Sequence, residues 1–371
     1  MKEYTSLGLM SGTSGDGVDA SIIKSDGDSK YDVIKDKYFE YDNEIYQDIH
    51  KLKEKIHNFS DLKKFDVEIK SLERRITLFH AKVIQELSYI KLDLIGFHGQ
   101  TIFHSGKNKV SKQLADGKLL SQLTKKNIVY NFRENDLKNG GEGAPLTPIF
   151  HQLIATKLKL DLPICILNIG GISNVTIVHK PIGLFDFTSR DIGPGNCMID
   201  SWVRKNSLEK FDKDGLLASK GIRNDIIFEQ AQELFANRPN QSTLSFDVNS
   251  FDISFARGIS LEDGAATLTD FTASVIGEAL ITLLSSLKNK SFKVLLCGGG
   301  RKNKILIEKI RINTLNNLIL QPIDDYGING DFVESQAFAF LAIRSIKKLP
   351  ISFPTTTGCS KPVSGGEIEN Y

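Results

Sequence analysis

At 371 residues the chain exceeds one typical core and suits two domains of roughly 150 to 200 residues each, with an apolar share of 40% to fill them. Lys and Arg number 47 against 45 Asp and Glu, a net charge of +2, which excludes the single-sign excess of a polyanion binder, so no nucleic-acid partner is expected. Four cysteines, Cys165, Cys197, Cys297 and Cys359, lie far apart with no CxxC pair; this argues against a disulfide framework or structural zinc site and suits a reducing cytoplasm.

The first residues, MKEYTSLGLMSGTSGDG, lack the continuous apolar region of a signal peptide. Leu7 to Met10 and Val18 to Ile23 flank a Gly/Ser/Thr/Asp loop, a strand-loop-strand pattern, with a third strand expected around Tyr31 to Tyr41. From Asp61 to Ile90 apolar residues recur every three or four positions, predicting a long amphipathic helix or two in succession. Leu92 to Phe97 reads as a buried strand delivering His98, Gly99, Gln100 and Thr101 to its C-terminal end, where ligands gather in open α/β sheets.

The second half repeats the opening: a strand at Ile164 to Ile169, a turn at Gly170-Gly171-Ile172-Ser173-Asn174, a return at Val175 to Val178, and a third strand near Leu184 to Phe187. The longest uncharged stretch, Leu162 to His179, is broken by Pro163, Gly170 and Gly171, so no membrane span is expected. Phe271 to Leu287 suits a buried helix. Lys293 to Leu296 is a strand running into Cys297-Gly298-Gly299-Gly300, with a helix from about Asn303 and a last helix over Val333 to Ile346. The tail from Pro350 is expected as extended chain on the surface. Two domains of related topology follow, 1–150 and 151–371, in an α/β fold.

The loop Gly12-Thr13-Ser14-Gly15-Asp16-Gly17-Val18-Asp19 holds the parts of a phosphate cradle without a Walker lysine: glycine amides, two hydroxyls, and Asp16 for a metal-bound water. An ordinary hairpin turn is the bland alternative, weakened by the second cradle at Gly170 and Gly171. Gly298, Gly299 and Gly300 form a third loop, between strand and helix, where a sugar or base can rest on bare backbone; it is no G-x-G-x-x-G fingerprint, because Asn303 stands where the last glycine belongs. The ordered trio argues for one nucleotide clamped between two domains.

Asp191, before the bend Gly193-Pro194-Gly195, is placed for general-base work on a hydroxyl or a water, or else caps the helix Cys197 to Lys205. Arg133 could grip an acidic or polar substrate group with its planar fork, or pair with a local acid on the surface. His98 and His104 lack metal-ligand spacing, so hydrogen bonding or a structural role is expected. Glu334 opens the last helix, where a carboxylate favours the dipole; that helix, with Ala337, Ala339 and Ala342, could also be a hinge at the domain junction. No nucleophile elbow, P-loop or kinase H-R-D string is present.

The segments GLMSGTSGDGVDA, GFHGQTIFH, NFREND followed by NGGEGAPLTPIFH, LNIGGISNVT, RDIGPGNCMID, CGGGRKN, ESQAFAFLA and PTTTGCSKPVSGG, in this order, resemble the anhydro-N-acetylmuramic acid kinases, from Gly8 to Gly366. These belong to the actin, Hsp70 and sugar-kinase superfamily. The resemblance implies a two-domain actin-like ATPase (ribonuclease H-like) fold with an interdomain cleft. It implies a reaction in which 1,6-anhydro-N-acetylmuramic acid, ATP and water give N-acetylmuramic acid 6-phosphate and ADP, with Mg²⁺ as the metal. By matched motif, Gly12 to Asp19 would hold the phosphates, Asp191 would be the general base, Gly298 to Gly300 would face the adenosine, and His98 to Thr101, Arg133 and Glu334 would stand on the sugar side. It further implies a bacterial cytoplasmic enzyme of peptidoglycan recycling with a small-molecule sugar as its partner, no membrane, and room for a homodimer. The family usually places a bulky apolar residue where Gly15 stands. Two competitors remain at this point: another sugar kinase using the same Asp on a free hydroxyl, and an ATP-gated clamp, which would need a partner domain.

Overall fold

Apolar runs in the first hundred residues build a sheet from its centre outward. In a computed structural model describing residues 2–180, 185–237, 244–247, 251–285 and 291–371, β1 spans Tyr4–Ser11, β2 Gly17–Ser25 and β3 Tyr31–Glu40. Both neighbouring pairs are antiparallel. β1 and β2 are largely buried, whereas β3 is mostly exposed and carries Lys35 and Lys37, the charged dressing that keeps a sheet edge from pairing further. β4 (Leu94–Ser105) runs parallel to β1, β5 (Val110–Leu114) lies antiparallel to β4, and β6 (Ile128–Tyr130) runs parallel to β4.

A second sheet comprises β7 (Ile164–Ile169), β8 (Ile172–Val178), β9 (Phe187–Pro194), β10 (Phe292–Cys297) and β11 (Leu318–Pro322), with β10 parallel to both β7 and β11. The orders are β3-β2-β1-β4-β6 and β9-β8-β7-β10-β11, one arrangement used twice: a hairpin, its outer strand, then two parallel strands. This doubled α/β topology is the one the resemblance to the actin-like ATPases implies. The third strand expected near Leu184 is β9; Leu184 itself lies outside the described residues.

The chain divides into one unit of Met1–Leu162, Val178–Arg190 and Asp331–Tyr371 and another of Pro163–Ile177 and Asp191–Gly330. The last helix and tail thus return to the first unit instead of closing the second, unlike the expected partition at residue 150. The helix Val333–Ile346 explains why. It lies on the first sheet so closely that a Cβ on Gly8 would stand 1.9 Å from the Ser335 carbonyl oxygen, and one on Gly96 would stand 2.4 Å from that of Phe338. Ala339 and Ala342 face those glycines, so the small residues read as a possible interdomain hinge serve close packing inside one unit.

The tail is not the extended surface chain expected. Ile351, Phe353, Thr356, Thr357 and Cys359 are buried, Pro354–Thr357 is a short helix, and β12 (Glu367–Glu369) pairs antiparallel with β6. Phe353 makes the difference: its ring meets those of Phe185 at 4.5 Å and Phe187 at 5.1 Å, an aromatic cluster that outweighs the loop-like composition around it. The 61–90 periodicity resolves into two helices, Phe59–Lys64 and Asp66–Glu86. The buried helix starts ten residues earlier than expected, at Leu261, and runs to Leu283; Leu287 lies outside the described residues. By length and composition it could cross a membrane, but 72% of its apolar window is buried.

Gly8→Ala is expected to cost about 3 kcal/mol or more, because the obstructing atoms are helix backbone that cannot rotate away; urea unfolding of the purified variant measures it.

Candidate active site

In the first unit, β1 ends at Ser11 and β2 begins at Gly17, so the loop proper is Gly12 to Asp16. Gly17, Val18 and Asp19 already belong to the strand ladder, and the Val18 side chain is core. The turn is closed by the Gly15 amide donating to the Gly12 carbonyl at 3.1 Å. Two side chains of the helix Asn43–Lys55 engage its other carbonyls: Lys53 Nζ donates to Thr13 O at 2.8 Å, and His50 Nε2 lies 3.0 Å from Ser14 O. Anchoring carbonyls from one side favours presenting N–H groups to an anion on the other. Ser14 Oγ donates to Asp16 Oδ1 at 2.5 Å. Burial and then the carboxylates of Asp16, Glu40 and Asp19 hold the Tyr38 hydroxyl far above its ordinary pKa, so the phenol beside the loop stays protonated.

Gly15 has φ +63°, and a Cβ there would approach Ile49 Cγ2 to 2.9 Å. The missing bulky residue is therefore matched to a left-handed turn pressed on a buried isoleucine.

His98, Gly99, Gln100 and Thr101 do not end their strand: β4 continues to Ser105 because β5 pairs with it beyond Gln100. Gln100 is fully buried and turned to the first loop, accepting from Ser11 Oγ at 2.6 Å and donating to Gly12 O at 3.0 Å, so it braces that loop rather than facing a sugar. Thr101 Oγ1 accepts from Gln113 Nε2 at 3.1 Å.

The structure does join His98, Arg133 and Glu334. Arg133 is half-buried and turns its fork to neutral groups: Nη1 donates to Gly143 O at 2.7 Å and Nη2 to His98 Nε2 at 2.9 Å. Because His98 Nε2 accepts, the ring proton sits on Nδ1, which donates to Gly99 O at 2.8 Å. Burial and then the Arg133 charge push the His98 pKa well below the ordinary histidine range, so the ring is neutral. Burial raises the Glu334 carboxyl above its usual range while the Arg133 charge pulls it back. His104, its Nδ1 2.9 Å from Ser111 Oγ, also feels Arg133.

In the second unit the expected five-residue turn shrinks to Gly170-Gly171, since Ile172, Ser173 and Asn174 are already in β8. The Gly195 amide donates to Gly171 O at 2.9 Å and that of Asn196 to Gly170 O at 2.8 Å, stitching the hairpin tip to the Gly-Pro-Gly bend. Asp191 lies within β9 and does not cap the next helix, which follows Asn196. It is 7% exposed; Oδ2 accepts from the Phe246 amide at 2.8 Å, and its own amide donates to Leu244 O at 2.8 Å. Reading the sequence misses both partners, because they are backbone groups and leave no side-chain signature.

Gly298, at φ +80°, leads into the 3₁₀ turn Gly299–Lys302, and Asn303 caps the helix Lys304–Ile312 through the Leu306 amide at 3.0 Å. A Cβ on Gly299 would meet nothing within 4 Å, so this face of the loop is open to a ligand. Arg301 steadies the loop, donating to Gly298 O at 3.0 Å and to both Asp324 oxygens at 2.7 and 2.8 Å.

Paired glycine hairpins on doubled five-strand cores, with a buried carboxylate on the second, are parts suited to an α/β phosphotransferase that uses ATP. The model of the family described as anhydro-N-acetylmuramic acid kinase matches residues 4–370. Proteins named anhydro-N-acetylmuramic acid kinase from Pelagibacter ubique, Zymomonas mobilis and Agrobacterium fabrum are 52%, 36% and 32% identical to this chain, covering 100%, 98% and 98% of it and the same shares of themselves. The chain belongs to the anhydro-N-acetylmuramic acid kinase family, a family of sugar kinases in cell-wall recycling.

Gly15→Leu, which restores bulk at the loop, is expected to cost about 1–2 kcal/mol for the left-handed backbone alone and to raise the KM for ATP; thermal melts and initial rates check both. Burial also lowers His80 to about 4 and His104 and His151 to about 3. The unfolded chain takes up these protons near pH 6.5 and the folded chain does not, so stability should fall as pH drops from 7 to 5, by up to about 1.4 kcal/mol per unit for each histidine. Urea unfolding at several pH values gives the slope, and a flat profile contradicts neutral buried rings.

Proposed function

We propose that this chain opens the 1,6-anhydro bridge of 1,6-anhydro-N-acetylmuramic acid with water and transfers the γ-phosphoryl group of ATP to the released O6, yielding N-acetylmuramic acid 6-phosphate and ADP. The observation carrying the proposal is Asp191: a buried carboxylate in the family's RDIGPGN segment, aimed by a backbone amide at Oδ2. In this reading Asp191 removes a proton from water, the water oxygen bonds to C1 as the C1–O6 bond breaks, and O6 attacks the γ-phosphorus while ADP leaves. The proton on Asp191 then passes to solvent.

The Gly12–Asp16 turn and the Gly170-Gly171 tip cradle phosphates with amides and hydroxyls, and Gly298 to Gly300 rest against the adenosine. His98, Thr101, Arg133 and Glu334 hold the sugar. Asp16 and Asp19 would hold Mg²⁺ through its water shell, and the ion, when bound, would neutralise phosphate charge. Four buried cysteines, none of them in a disulfide, suit a reducing cytoplasm as the place of work.

Asp191→Asn tests the reading. Turnover should fall by about 10² to 10⁴, with ATP affinity by calorimetry unchanged within about twofold. Reaction of the wild type in ¹⁸O-water, read before the anomeric oxygen exchanges, should place the label at C1 and none in the phosphate. Turnover of the variant within a few-fold of wild type removes Asp191 as base, and a product without label at C1 points to a kinase acting on a free hydroxyl.

A further inference from the structure

We propose that Asp136 is a positioning residue for the sugar side: its carboxylate fixes the loop carbonyl that holds Arg133. The inference rests on the reading of Arg133 as a sugar contact. Asp136 follows Arg133 by three residues, in the short helix Glu134–Lys138, and is 1% exposed. Its Oδ2 accepts from the Gly143 amide at 2.7 Å and its Oδ1 from Thr357 Oγ1 at 2.6 Å. The carbonyl of that same Gly143 accepts from Arg133 Nη1 at 2.7 Å, and Arg133 Nη2 donates to His98. Asp136 therefore holds the N–H of the residue whose C=O holds the guanidinium.

The surroundings fit this task closely. A Cβ on Gly141 would stand 2.1 Å from Asp136 Oδ2, so the Gly140–Gly143 loop is wrapped directly on the carboxylate. Thr357 works in both directions, donating to Asp136 through its hydroxyl while its carbonyl accepts from the Glu142 amide at 2.8 Å. The tail thus latches the loop at two points. A carboxylate offers acceptors only, matching the fixed N–H of Gly143 on one oxygen and a hydroxyl on the other. An arginine with a set fork geometry gains most from such a brace, because a misplaced guanidinium loses its paired contacts to a polar ligand.

The amide of Asp136→Asn can still accept from Gly143 through Oδ1 and donate to Thr357 Oγ1, whose proton can turn to Phe353 O, now 3.4 Å away. Asn is therefore the conservative variant and Ala the disruptive one. Steady-state kinetics of the full chain, with anhydro-N-acetylmuramic acid and ATP varied separately, should show Asp136→Ala raising the sugar KM by about tenfold to a hundredfold. Its kcat and ATP KM should stay within about threefold of wild type, and Asp136→Asn should recover most of the loss. Thr357→Val should raise the sugar KM in the same direction, and it decides the matter if Asp136→Ala does not fold. In an Arg133→Ala background, neither substitution should raise the sugar KM further. Penalties that multiply in that background, or unchanged sugar KM in folded Asp136→Ala and Thr357→Val, overturn the positioning role alone. An Arg133→Ala enzyme with unchanged sugar KM overturns the reading of Arg133 and the positioning role with it.

Discussion

Backbone contact between the helix Val333–Ile346 and the sheet at Gly8 and Gly96 sets the geometry on which the first unit depends. Ordinary helix-on-sheet packing leaves room for side chains; here the Ser335 and Phe338 carbonyls occupy the space a Cβ would need. Once seated, the helix cannot slide, because displacement by even one residue would press a larger side chain onto either glycine. Its first turn holds Glu334, so the same contact places that carboxyl within the field of Arg133. The first unit also cannot be complete until the last forty or so residues of the chain arrive, which accounts for the return of the tail to the N-terminal sheet.

Within that frame the charge balance around Arg133 follows from burial. An isolated buried guanidinium is costly, and Arg133 is met by a carbonyl and a neutral imidazole, with Glu334 as the acid that feels its charge. A protonated His98 could not accept the Arg133 hydrogen bond, so the neutral ring is a condition of the arrangement as well as a result of burial. The two Nη atoms thus meet neutral acceptors, a carbonyl and a ring nitrogen. Arg301 shows the contrast: its fork closes on both oxygens of Asp324, and its role is to brace a loop.

The strands and the last helix were legible because local pattern and final environment agree: β1, β2, β7 and β10 are short apolar runs, and Val333–Ile346 carries small residues at helical spacing. The tail was misread because Pro, Thr, Ser and Gly describe a loop locally, while the burial of Phe353 depends on Phe185 and Phe187, far away in sequence. Gln100 was misplaced for a similar reason: its residue type announces hydrogen bonding but not direction, and its partners Ser11 and Gly12 lie in another strand and loop. Arg133 leaves two readings open in the sequence, a grip on a polar group and a surface ion pair, because its partners include a backbone carbonyl and a ring nitrogen, neither of which a spacing rule detects.

Near-neutral net charge fits this design. A phosphate cradle built from lysines would need a basic excess and would attract polyanions generally. The proposed cradle relies instead on the amide dipoles of the Gly12–Asp16 turn, whose Thr13 and Ser14 carbonyls are engaged by Lys53 and His50. Hydrogen bonds likewise fix groups of the proposed site: Gln100 holds Gly12 O, the Phe246 amide holds Asp191 Oδ2, and Arg301 holds Gly298 O. Preorganised dipoles stabilise developing charge only if they do not have to move toward it, so in the proposed reaction rigidity of these loops is what the fold itself supplies.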